Sequence, residues 1–155
     1  RAAVNGVLPS KVCASLRPSP VINQSAPRHA SASGKLLSAV LGRSSWDEIA
    51  SGTLAQLTDR TIVDRKALKA EFDWIVRKGY ALDRSEHVDG LASIAVPVSI
   101  GDQVPAFAVG LTGPAVPLLA RAESEYLDML RRTAAELGGA LSMHSDSVTK
   151  RGGDV

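Results

Sequence analysis

The chain has 155 residues, 45% hydrophobic and 22% charged, enough for one domain that buries roughly 70% of its unfolded surface. Its 18 basic and 16 acidic residues leave a formal charge of +2, too small an excess to mark a nucleic-acid-binding surface. One cysteine, Cys13, excludes an internal disulfide framework and any multi-cysteine metal centre, and no run of 18 apolar residues can cross a membrane.

The first residue is Arg1 rather than Met and no signal-peptide pattern follows, so the expectation is a cytoplasmic piece of a longer protein. In the first thirty residues Val4, Val7-Leu8, Val12 to Leu16 and Val21-Ile22 are broken by Asn5-Gly6, Pro9-Ser10 and Arg17-Pro18-Ser19-Pro20, which reads as short strands between turns. Helical period begins at Ser31, with Leu36, Leu37, Val40 and Leu41 as a stripe and Gly42 as its stop. A short helix is expected over Ser45 to Ser51, capped by Ser44 or Ser45. The clearest helix follows Asp64: Leu68, Phe72, Ile75 and Val76 share one face, Lys66, Lys69, Glu71, Asp73 and Arg77 lie mostly on the other, and Lys78-Gly79 ends it.

Two strands are predicted next, Leu91 to Val98 and Val104 to Thr112, joined across Gly101-Asp102 as a two-residue turn. A long helix from Val116 to Leu141 carries Leu119, Ala122, Tyr126, Leu130, Leu137 and Leu141 as its apolar stripe, and residues 142–155 read as a disordered tail. Strands at both ends with helices between them give an α+β class, an antiparallel sheet flanked by helices.

Three stretches bear on function. Alternation places Ser93, Ala95 and Pro97 on one face of the hairpin with Ala106, Ala108, Gly110 and Thr112, and that turn opposes Ser93 to Gly110, with Thr112 diagonal. Ile94, Val96, Val98, Phe107, Val109 and Leu111 fill the other face as a helix-packing surface. Small residues leave room for a ligand above the first face; the alternative is a helix lying close upon them. In His29-Ala30-Ser31-Ala32-Ser33-Gly34-Lys35, the amides near Ala32, Ser33 and Gly34 open a helix and could point at an anion, but on spacing alone an ordinary Ser31 N-cap with a solvated Lys35 is the simpler reading. In Gly79 to His87, Asp83 and Glu86 precede the strand, where a carboxylate can accept from a ligand or pair with Arg84.

These stretches, together with Leu57-Thr58-Asp59-Arg60-Thr61-Ile62, Gly90 to Val98 and Ala108 to Pro114, resemble the C-terminal effector-binding domain of the isocitrate lyase regulator (IclR) family of bacterial transcription factors over residues 25–141. The resemblance implies a GAF-like domain, residues 1–141, that binds a small organic or aromatic acid. It also implies dimers or tetramers, and DNA binding only through an N-terminal domain that this chain does not contain. By position the effector contacts fall on Ala32, Ser33, Asp83, Ser93, Gly110 and Thr112, with the Gly34 amide and Lys35 helping to hold the acid group. Ser93 stands where that family often has cysteine and Gly110 where it often has serine, which points to extra volume and a bulkier, more apolar effector than a keto acid of two or three carbons.

No cofactor, metal or catalytic residue is expected. His29, His87 and His144 form no nucleophile–base–orienter set, no Gly-x-Ser-x-Gly elbow exists, and a metal site from His29, Asp83, Glu86 and His87 needs adjacent residues to converge. The competing readings are an oligomerisation module without a ligand and a GAF-like enzyme.

Overall fold

The structure, a computed structural model, describes residues 27–151, with side chains to residue 143. The strands expected before Pro27, and Cys13 with them, lie outside the described residues. Helix α1 (Ala32–Leu41) begins at Ser31, whose hydroxyl caps it, and stops at Gly42 as the sequence predicts. Helix α2 (Arg43–Ser51) starts earlier than expected and has Gly42 rather than a serine at its N-cap. Ser45 is buried instead and accepts from the Arg28 guanidinium, which also reaches Ser38 on α1. Helix α3 (Arg65–Lys78) matches its prediction at both ends: the Asp64 carboxylate accepts from the Ala67 amide, and Gly79 closes it in the left-handed conformation.

An antiparallel sheet of three strands follows among the described residues, β1 (Ala81–Arg84), β2 (Leu91–Val98) and β3 (Phe107–Pro114), in the order β1-β2-β3. The strand β1 was not anticipated: four residues are too few to show alternation. The turn between β2 and β3 was misplaced. Pairing runs Ser93 to Thr112, Ala95 to Gly110 and Pro97 to Ala108, two positions from the expected register. Pro105 offers no amide to the ladder, so β3 starts only at Phe107 and the connection is a longer loop. An even shift leaves every side chain on its predicted face.

The two faces build two cores. Ile94, Val96 and Val98 pack with Leu118, Ala122, Leu127, Leu130 and Ala134 from the C-terminal helices. Ala81 and Ala95, on the small face, pack with Ala32, Leu36, Ala39, Leu68, Phe72 and Ile75 of α1 and α3. Val76, placed on the α3 apolar stripe by sequence, is 59% exposed.

The C-terminal helix is interrupted. Helix α4 (Ala115–Arg121) passes through a π-helical turn (Ala122–Tyr126) into α5 (Leu127–Arg151). The extra residue rotates everything after it, so Leu127, Leu130 and Ala134 join Leu118 and Ala122 against the sheet, while the expected stripe members Leu137 and Leu141 stay exposed. Within this turn Glu123 accepts from the Tyr80 hydroxyl. Burial first, and then that carboxylate, pushes the phenol up to about 12, so it remains a donor. Of the tail expected to be disordered over 142–155, the backbone is helical as far as Arg151, and residues 152–155 lie outside the described residues. Among the described residues no helix is long and apolar enough to cross a membrane.

The paired glycines of α5 separate packing from helix propensity. A Cβ on Gly138 would lie 2.2 Å from the Ser99 carbonyl oxygen, whereas one on Gly139 meets nothing within 4 Å. Gly138→Ala is therefore expected to destabilise the domain by about 1–3 kcal/mol. Gly139→Ala should stabilise it by about 0.5–1 kcal/mol. Urea denaturation of the two variants checks both signs.

Candidate functional site

A cavity of about 360 Å³ opens between the start of α1, the loop after β1 and the small face of β2 and β3. Six of the residues proposed from sequence line it: Ala32 and Ser33 from α1, Asp83 from β1, Ser93 from β2, and Gly110 and Thr112 from β3. Helix α1 does cover the rest of that face, through Ala32, Leu36 and Ala39 against Ala81 and Ala95. Both sequence alternatives therefore hold, on different parts of one surface.

At the helix end, Ser31 is used up internally. Its hydroxyl donates to the Pro27 carbonyl (2.9 Å) and accepts from the Gly34 amide (3.1 Å), while its own carbonyl accepts from Lys35 N–H (2.9 Å). The amides of Ala32 and Ser33 have no intrahelical acceptor, and both residues border the cavity. Gly34 does not line it. Its amide is committed to the cap, and an added Cβ would lie 2.5 Å from the Pro27 carbonyl oxygen, so close packing of the preceding turn, not a ligand, requires the glycine.

Lys35 is the second correction. It is fully buried rather than solvated or facing a ligand, with Nζ between the two Glu86 oxygens at 2.7 and 2.6 Å and 3.1 Å from Glu71. Glu71, expected on the solvent side of α3, also accepts from Arg84 (3.2 Å), whose guanidinium lies over the Trp74 ring. Burial raises the Glu86 carboxyl pKa above its ordinary value, and the Lys35 ammonium opposes that rise.

Asp83 is turned inward. One oxygen accepts from the amides of Glu86 (2.7 Å) and His87 (3.4 Å), fixing the loop, and the other accepts from the Ser93 hydroxyl (3.2 Å). With its proton given to Asp83, Ser93 can only accept from a ligand, so this end of the cavity asks for a hydrogen-bond donor. At Gly110 an added Cβ would lie 2.8 Å from the Ile94 carbonyl oxygen. The expected side-chain-sized space there is thus partly taken up by close approach of the strands.

Two contributions were not legible beforehand. His87 and Val88 form part of the wall, although the short span from Asp83 to Leu91 already confines a loop to the cavity's edge. Thr58 and Thr61 clamp that loop: Thr58 donates to the Ser85 carbonyl (2.7 Å) and Thr61 to the Glu86 carbonyl (2.7 Å). Threonines three apart beside a turn are the signal that could have shown it. His29 bonds the Ala55 carbonyl (2.9 Å), and among the described residues no group of three His, Cys, Asp or Glu is placed to hold a metal ion.

The sequence profile of the family described as "Bacterial transcriptional regulator IclR C-terminal" matches residues 10–138. The HTH-type transcriptional repressor AllR of Klebsiella pneumoniae is 34% identical over 120 residues, covering 76% of this chain and 43% of that protein. The chain spans less than half the length of the curated relatives it matches. The inducer-binding domain of the PobR transcription factor from Acinetobacter, a double mutant in complex with 3-hydroxybenzoic acid, is similar in structure with a TM-score of 0.73 and 28% identity, over 85% of this chain and 77% of that one. An IclR homologue from Microbacterium hydrocarbonoxydans complexed with 4-hydroxybenzoate gives a TM-score of 0.65 and 25% identity, over 77% of this chain and 47% of that one.

Removing one member of the buried pair strands the other. Lys35→Met is expected to cost about 3–5 kcal/mol, and Lys35→Met with Glu86→Leu to recover most of it. A double-mutant cycle in urea measures the coupling; simple additivity would show that the two charges do not act as a unit.

Proposed function

Because this chain belongs to the IclR family of bacterial transcriptional regulators, represented by its C-terminal domain, we propose that it is an effector sensor whose cavity binds a small organic acid, favouring a hydroxylated aromatic one. The observation that carries this reading is the opposed chemistry of the cavity's two ends. The amides of Ala32 and Ser33, which have no intrahelical acceptor, sit at the positive end of α1 and suit a carboxylate. Asp83 and the acceptor-only Ser93 disfavour a carboxylate and suit a hydroxyl. Thr112, opposite Ser93, adds a hydroxyl to the same floor. Ala95 and Ala108 leave the middle apolar, as an aromatic ring needs. The aromatic acids bound by the Acinetobacter and Microbacterium proteins support this ligand class.

In the same reading the chain works in the cytoplasm as part of a dimer or tetramer, and DNA is contacted by a domain outside these residues. The effector acts by binding one arrangement of the assembly more tightly than another, a coupling typically of about 1–3 kcal/mol. Binding without turnover distinguishes a sensor from an enzyme, and an oligomerisation module without a ligand site would bind none of these acids.

Isothermal calorimetry with benzoate, 3-hydroxybenzoate and 4-hydroxybenzoate tests the reading. At least one hydroxybenzoate is expected to bind more tightly than benzoate, and Ser93→Ala to remove about 1 kcal/mol of that preference. Equal affinities for all three, unchanged in the variant, would contradict the assigned polarity.

A further inference from the structure

We propose that the cavity is the inner chamber of a two-chamber site, and that a hollow beyond the His87–Val88 wall receives an uncharged aryl or acyl arm of a longer acid. This rests on the reading that the inner chamber takes the acid group. The outer hollow, about 560 Å³, is bounded by Leu57, Thr58, Asp59, Arg60 and Asp89 and shares His87 and Val88 with the inner one. The inner chamber alone is at the small end of the roughly 300–1,000 Å³ typical of ligand sites; the two together approach the large end.

The wall between them is held firmly at its base and more lightly toward its tip, where Asp83 accepts from the His87 amide at 3.4 Å and the Val88 carbonyl from the Leu91 amide at 3.2 Å. Glu86 is fixed by Lys35, Asp83 and Thr61. Beyond it, the Val88 side chain is 45% exposed and belongs to neither apolar core. Ser85 (φ 63°) and Gly90 (φ 74°), both in the left-handed region, set two sharp corners on either side of the tip. The Val88 side chain, between the locked Glu86 and the Gly90 corner, is therefore the part of the wall that neither core holds. A ligand that displaces Val88 joins the chambers without breaking the buried ion pair.

The lining decides what the outer chamber takes. Leu57 and Val88 give it apolar sides, and Leu57, 44% exposed, gains cover from a bound arm. Asp59 and Asp89 outnumber Arg60, so the chamber disfavours a second acid group on the arm. An uncharged arm with an apolar body fits both observations.

Calorimetry on the whole chain compares 4-hydroxybenzoate with its biphenyl homologue, in which a second ring separates the hydroxyl from the acid. Wild type is expected to bind the homologue at least as tightly. Leu57→Trp, which reaches only the outer chamber from an exposed position, is expected to weaken the homologue by about tenfold or more and to leave 4-hydroxybenzoate within about twofold. Val88→Gly, which thins the wall, should tighten the homologue. Binding of 4-hydroxybenzoate without the homologue, or an equal effect of Leu57→Trp on both, overturns the outer chamber alone. Binding of neither acid to wild type overturns the inner-chamber reading and this inference with it.

Discussion

A lysine ammonium with no access to water must find its countercharge inside the protein, and Lys35 finds it on Glu86 and Glu71. This requirement joins α1, α3 and the loop after β1 at one point. Two of those three elements are walls of the cavity, so the position of the ion pair sets the position of the walls. Its contribution is placement more than net stability, since desolvation of two charges offsets most of their attraction. Thr58, Thr61 and Asp83 then bond the same loop through its backbone, which leaves it little freedom before its tip at His87.

With the walls fixed, the chemistry of the cavity follows from which polar groups the fold has already used. Ser31 and the Gly34 amide satisfy each other, leaving the Ala32 and Ser33 amides at the cavity without an intrahelical acceptor. Asp83 spends one oxygen on the loop and takes the Ser93 proton with the other, so a floor that looks like three interchangeable polar groups becomes an acceptor end. In the proposed reading, a site that is positive at one end and accepting at the other would orient an unsymmetrical acid. Orientation is what a sensor needs if ligand binding is to favour one arrangement of its assembly over another.

The small face of the hairpin was legible because it depends only on the parity of strand positions. Even with the turn placed wrongly by two residues, Ser93, Gly110 and Thr112 stayed on the side where alternation put them. The two helices with clear stop signals at Gly42 and Gly79, the second also with an Asp64 cap, were legible for the same local reason. The ion-pair network was not. Lys35, Glu71 and Glu86 look like ordinary surface charges when each is read with its neighbours, and only packing of segments far apart in sequence removes them from water. The π-helical turn was hidden too, because it changes the period on which reading a helix depends. Gly34 shows the reverse error, a glycine assigned to a ligand that is in fact needed by the turn before it.

The central claim is that an acid enters between the start of α1 and the small face of the sheet with its carboxylate on the helix end. An NMR titration that follows backbone amides while 4-hydroxybenzoate is added tests it most directly. The Ala32 and Ser33 amides are expected to move most, together with those of Ser93 and Thr112, and all four to saturate along one binding curve. Saturable changes centred on other parts of the fold, with the Ala32 and Ser33 amides unmoved, would contradict it.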